Sequence, residues 1–187
     1  MPFVILDRDG VINVESKNYI KSPDEWEAIP GSLEAIARLH RAGIRVVIAT
    51  NQSGIERGLF DISTLNRIHK KMIRQARDWG GKIDAIFFCP HAPETRCDCR
   101  KPKPGLLLEA SGRLDEPLSD TPFVGDSVSD ITAARSAGAR PILVKTGSGL
   151  STYTELMRNK YEALDEADIF DNLLSFVDSF IISEYKN

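Results

Sequence analysis

The chain has 187 residues, of which 42% are hydrophobic and 27% charged, and its formal net charge at pH 7 is −3. That length suits one domain with a self-sufficient core, so a single domain over residues 1–187 is expected. The mixed, nearly balanced charge excludes the basic footprint of a nucleic-acid binder and the bias of a disordered acidic chain, and no apolar run reaches membrane-spanning length.

Met1 leads directly into Phe3-Val4-Ile5-Leu6, without the basic segment, long apolar stretch or cleavage site of an export signal. A cytoplasmic chain acting on a small soluble partner is expected, with no nucleic acid and no membrane. Short apolar runs then alternate with helix-period stretches. Phe3–Leu6, Val46–Ala49, Ile83–Phe88, Phe123–Val124 and Ile142–Val144 are β-branched or aromatic, and most are too uniformly apolar for one face to meet water. They predict buried parallel strands. Leu33, Ile36, Ala37 and Leu39 share a helical face that ends at Gly43; Leu65, Ile68, Met72, Ile73 and Ala76 make a second stripe ending near Gly80. Ile131, Ala134 and Ala137 make a third before Gly138, and Asp171–Ile182 suits a last amphipathic helix. The pattern predicts an α/β fold, Rossmann-like and three-layered, with a parallel sheet and no room for a large second domain. The polar stretch Asn13–Pro30 is expected to be a surface loop over the site.

Ligands of an open parallel sheet bind at the carboxyl ends of its strands. After the first strand stands Asp7-Arg8-Asp9-Gly10, two acids that invite a cation. Alone, the motif reads first as a turn with Asp capping amides. A calcium loop is disfavoured: no Gly stands sixth, and the twelfth residue is Asn18 rather than Glu. After the second strand, Thr50-Asn51-Gln52-Ser53-Gly54 offers hydroxyls and amides to phosphate oxygens. Arg100-Lys101-Pro102-Lys103-Pro104-Gly105 is a cationic cluster pinned by prolines, and Gly125-Asp126 follows the fourth strand, with Asp130 one helical turn on.

Taken together, these strand ends resemble the haloacid-dehalogenase superfamily, whose phosphatases carry Asp-x-Asp, then Ser or Thr, then Lys, and finally Gly-Asp-x-x-x-Asp. The resemblance implies a minimal-cap phosphatase in which Asp7 is the nucleophile and forms an aspartyl-phosphate intermediate. It makes Asp9 the general acid and base, with Thr50 and Lys101 holding the phosphoryl oxygens. Asp7, the main-chain carbonyl of Asp9 and Asp126 would ligate Mg2+. The chemistry agrees: a carboxylate is ionised at neutral pH and needs no base to attack, while phosphoryl transfer needs cations around the equatorial oxygens.

All three cysteines, Cys89, Cys97 and Cys99, fall in one short stretch with His91, as C-x-H-x5-C-x-C. Thiolate and imidazole in that number match tetrahedral Zn2+ with no open position, a structural site that shapes the loop leading into Lys101. His40 and His69 read as ordinary helix residues. Zinc-loop members of the superfamily include heptose-bisphosphate 7-phosphatases and histidinol-phosphate phosphatases. The segments Asp7–Asn13, Thr50–Ile55, Arg57-Gly58, Cys99–Gly105 and Lys145–Gly147 resemble the heptose family. That resemblance implies hydrolysis of the C7 phosphate of D-glycero-D-manno-heptose 1,7-bisphosphate for nucleotide-activated heptose and the lipopolysaccharide core. It places Arg100 on the distal part of the substrate, with Glu15, Tyr19, Asn51, Gln52 and Ser53 around the sugar, and suggests a monomer. Ser127 stands where some relatives carry Lys or Arg. Histidinol phosphate is the alternative substrate, and a phosphate-binding scaffold is the reading outside enzymes.

Overall fold

The computed structural model describes residues 2–159 and 167–184; the remainder of the single domain expected over 1–187 lies outside the described residues. Six parallel strands form one sheet in the order β3-β2-β1-β4-β5-β6: β1 Phe3–Leu6, β2 Arg45–Asn51, β3 Ala85–Cys89, β4 Pro122–Gly125, β5 Arg140–Val144 and β6 Asp168–Phe170. The helices are α1 Ser32–Arg41, α2 Ile62–Asp78, α3 Gly105–Leu114, α4 Val128–Ala137, α5 Gly149–Asn159 and α6 Leu173–Glu184.

Side-chain alternation on the strands builds the layers. Val4 and Leu6 face one side with Val46, Ile48, Val124 and Val144, covered by residues of α1, α2 and α6 such as Ile36, Ile68 and Phe176. Phe3 and Ile5 face the other with Val47, Ala49 and Phe123, covered by Leu107 and Ala110 of α3 and Ala134 of α4. Both faces are dry, which is why these strands read as continuous apolar runs. Each fully buried aliphatic side chain contributes roughly 1.5–3 kcal/mol.

The edges differ from expectation. Ile83 precedes β3, and most of β3 is only half-buried because it closes one side of the sheet. β6, α3 and α5 have no counterpart in the sequence reading; β6 is a half-buried edge of three residues, too short for a periodic signal. The chain moves from β1 to β2 on one side and returns to β4 on the other, so the crevice between the ends of β1 and β4 is the switch point at which such sheets bind ligands. The stretch after β1 is more than a surface loop: Val11, Ile12, Ile20 and Trp26 are buried in the core, and Lys71 of α2 holds it by donating to the carbonyls of Pro23 at 2.7 Å and Trp26 at 2.8 Å.

Candidate active site

At the switch point the end of β1 meets the end of β4, and the Asp7 N–H donates to the Val124 carbonyl at 2.8 Å. Around it opens a cavity of about 300 Å³ lined by Asp7, Arg8, Asp9, Glu15, Ser16, Tyr19, Ile20, Thr50, Asn51, Gln52, Lys101, Asp126, Ser127, Ser129, Asp130 and Ser148. Gly10 turns the chain at φ 80°, and a Cβ there would strike the Asp126 carboxylate at 2.0 Å. Only glycine lets the motif close onto the acid across the crevice.

Carboxylate oxygens of Asp7, Asp126 and Asp130 all lie within 4.8 Å of one another. Burial, and then its charged neighbours Asp7 and Asp130, push Asp126 up to about 8. Burial raises Asp7 to about 7 although the Lys101 ammonium opposes the shift. Lys101, itself buried, lies 2.9 Å from Asp7 and 2.7 Å from Asp130. Burial alone would lower Lys101, but these two carboxylates outweigh it and raise it. One ammonium cannot neutralise three buried carboxylates, so Asp7 and Asp126 hold their protons more tightly, and hard oxygen donors so crowded fit a divalent cation such as Mg2+ in place of those protons.

Asp130 also braces the site. Its Oδ2 accepts from the N–H groups of Asp126 at 3.3 Å and Ser127 at 3.1 Å and from the Ser127 hydroxyl at 2.5 Å, a capping box at the start of α4. Asp126 is held from a second side by the loop after β5. Ser148 N–H donates to its Oδ2 at 2.8 Å, and the Thr152 hydroxyl donates to its carbonyl at 2.9 Å. Gly147 sits at φ 57°, where a Cβ would lie 2.2 Å from Asp126 Oδ2 and 2.4 Å from Gly10 Cα.

Asp9 stands outside that group of three and has its own partners. Arg8, fully buried, donates through one nitrogen to both Asp9 oxygens at 3.0 Å. Asn13 and Gln52 add one bond each at 2.9 Å. Burial would raise Asp9, but the guanidinium and these amides outweigh it and hold the carboxyl below its usual range. The Gln52 amide also donates to the buried Thr50 hydroxyl at 3.0 Å. The Asn51 side chain makes a reciprocal pair with the main chain of Lys101, both bonds 3.1 Å, and so ties the turn that carries the lysine to the end of β2. Ser148 donates to Glu15 at 2.7 Å, joining the loop after β1 to the loop after β5.

The second cluster lies past β3. Cys89, His91, Cys97 and Cys99 converge with donor separations of 3.1–3.6 Å through Sγ and Nδ1. A tetrahedral zinc with Zn–S distances of about 2.3 Å has edges slightly longer than these, so the donor set fits zinc with every position filled. Burial and the Cys99 hydrogen bond push the Cys89 thiol up to about 12. Burial would raise Cys97 as well, yet hydrogen bonds led by Cys99 bring it down to about 7. Glu56 fastens the loop by accepting from Ala92 N–H and from the Thr95 hydroxyl.

Comparison with known proteins agrees with this geometry. Residues 98–175 match the family model described as "HAD-hyrolase-like". The D-glycero-beta-D-manno-heptose-1,7-bisphosphate 7-phosphatase of Bordetella bronchiseptica is 55% identical over 155 residues, covering 83% of this chain and 87% of that protein. The enzyme of that name from Neisseria meningitidis serogroup A is 45% identical over 176 residues, 94% of this chain and 92% of its own. A crystal structure of D,D-heptose 1.7-bisphosphate phosphatase from B. bronchiseptica, complexed with magnesium and phosphate, superposes with a TM-score of 0.93 at 47% identity, covering 98% of this chain and 99% of that one. The chain belongs to the heptose-bisphosphate 7-phosphatase family.

Of the site residues expected from sequence, Asp7, Asp9, Thr50, Lys101, Asp126, Glu15, Tyr19, Asn51 and Gln52 line the cavity of this family member. Ser53 and Arg100 do not. Ser53 is buried and its carbonyl accepts from Arg57 N–H at 3.1 Å, while Arg100 donates to the His91 carbonyl at 3.1 Å and so folds back on the cysteine loop. Sequence reasoning missed the structural parts played by Arg8, His69, Glu56, Ser148 and Thr152. Only His69 had a visible signal: it stands four residues after Leu65 and three before Met72, on the buried face of α2.

Proposed function

We propose that this chain hydrolyses the C7 phosphate of D-glycero-beta-D-manno-heptose 1,7-bisphosphate and leaves the 1-phosphate in place. The observation that carries the reading is the set of acids and one lysine at the switch point, with Asp7 beside Lys101. The names of the relatives support the substrate and its anomer. Asp7 attacks phosphorus, and the bond from phosphorus to the sugar oxygen breaks. Asp9 donates its proton to the departing oxygen; the incoming phosphate dianion favours the protonated form that the resting site disfavours. In the second step Asp9 takes a proton from water, whose oxygen displaces Asp7 and releases phosphate.

Lys101 and Thr50 hold the equatorial oxygens. Asp7, Asp126 and the main-chain carbonyl of Asp9 would hold Mg2+, with Asp130 bracing Asp126 and Lys101 from behind; magnesium supplies charge neutralisation between nucleophile and phosphate. The four-donor loop would hold structural Zn2+. Glu15, Tyr19 and Gln52 face the sugar; Arg100 would reach it by giving up its bond to the His91 carbonyl. No described helix is long and apolar enough to cross a membrane, and we place the activity in the cytoplasm, on a monomer. Asp7→Asn tests the mechanism: turnover is expected to fall at least about a thousandfold while the substrate still binds, the signature of a lost covalent nucleophile. Retained turnover would remove Asp7 from the mechanism.

A further inference from the structure

Arg8 is an arginine between two acids, yet none of it reaches solvent. Such a group is costly to bury unless its charge and donors are engaged. One terminal nitrogen serves both Asp9 oxygens at 3.0 Å, and the other lies 3.4 Å from His69 Nε2, on α2. Its Nε has no partner among the described residues. The guanidinium is therefore committed to Asp9 in front and His69 behind. His69 is itself buried. Burial, and then the Arg8 charge, lower it to about 3, so the ring is uncharged at neutral pH, and Nε2 accepts from Arg8 in the tautomer that carries its proton on Nδ1. Phe88 meets the ring edge-on at 6.3 Å between centroids and helps fix its plane.

We propose that His69 and Arg8 are positioning residues for the acid-base step: His69 fixes the plane of the Arg8 guanidinium, and Arg8 fixes the Asp9 carboxyl at the leaving oxygen. Asn13 and Gln52 complete the cradle from the two open sides. The Arg8 main-chain N–H donates to Asp7 Oδ1 at 2.7 Å, which any residue there could do; the side chains of Arg8 and His69 act through Asp9, and the inference rests on the role proposed for Asp9. The consequence is selective. An acid matters most when the leaving group is an alkoxide and least when it is stable as an anion. Loss of positioning should slow cleavage of a sugar phosphate far more than formation of the phospho-enzyme from an aryl phosphate.

The test compares His69→Asn, whose amide is one methylene too short to reach Arg8, with His69→Gln, which reaches it; Arg8→Met removes the link outright. Each magnesium-loaded enzyme is assayed with heptose 1,7-bisphosphate for kcat and KM, and with p-nitrophenyl phosphate for the burst of nitrophenolate in a single turnover. His69→Asn and Arg8→Met are expected to lower kcat on the bisphosphate by at least about tenfold, with KM within about twofold and the nitrophenolate burst within about threefold, and His69→Gln to restore kcat. The proposal is overturned if His69→Asn matches the parent enzyme, if both substrates slow together, if KM carries the change, or if Gln is as poor as Asn. The His69 pair decides the matter even if Arg8→Met does not fold. Asp9→Asn separates the two claims: if it keeps full turnover on the bisphosphate, the role of Asp9 falls, whereas its loss beside an unaffected His69→Asn removes only the positioning role.

Discussion

Asp7 and Asp126 are ordinary residues in an uncommon place: buried, facing each other and lifted toward neutrality by desolvation and mutual charge. Both carboxyls bind a proton more tightly folded than unfolded, where their value is 3.8. The unfolded chain gives up those protons first, so the metal-free protein loses stability as pH rises from about 4 through 8. Thermal melts of metal-free protein are expected to fall from pH 5 to pH 9. Added magnesium should raise the melting temperature more at pH 9 than at pH 5, because it replaces the protons that high pH removes. A melting temperature that rose with pH without metal would contradict the assignment of these acids. Their placement was legible in sequence because each follows a strand. The link from Arg8 to His69 was not, since its partners lie 61 residues apart and no local pattern joins a polar helix residue to a strand end.

At the scale of elements, the sheet supplies the chemistry and the loops aim it. The strands β1, β2, β4 and β5 announced themselves through uniform apolar composition, a direct result of being covered on both faces. α3 and α5 did not: both begin at a glycine, and α3 has no side-chain cap at its start. The cysteine loop was readable from ligand spacing alone, because four donors within eleven residues leave few other uses. Its expected work is to deliver Lys101, which Asn51 then clasps. A zinc-selective chelator in excess magnesium should remove about one zinc per chain and lower activity at least about tenfold by loosening the supports of the catalytic groups. Zinc should restore the activity and magnesium alone should not. Freshly prepared protein without zinc would contradict the loop assignment.

For the molecule as a whole, the strand order gathers the groups proposed for catalysis at one edge of the sheet, around a cavity of about 300 Å³. The resemblance implied substrate contacts for Arg100 and Ser53, yet neither lines the cavity, and the Arg100 side chain donates to the His91 carbonyl instead; a side chain's direction depends on tertiary partners that spacing does not encode. The same limit applies to the choice between a heptose and an amino alcohol. Glu15 or Asp98 would have to meet the ammonium of an amino alcohol; in the folded chain Glu15 accepts the Ser148 hydroxyl and Asp98 pairs with Lys103 at 2.9 Å.

The measurement that decides the central claim is phosphate release, with magnesium present, from both anomers of heptose 1,7-bisphosphate and from histidinol phosphate at equal concentrations. Strong preference for the β-anomer, with the 1-phosphate intact in the product, is the expected result. Preference for histidinol phosphate would keep the site and the chemistry but contradict the substrate.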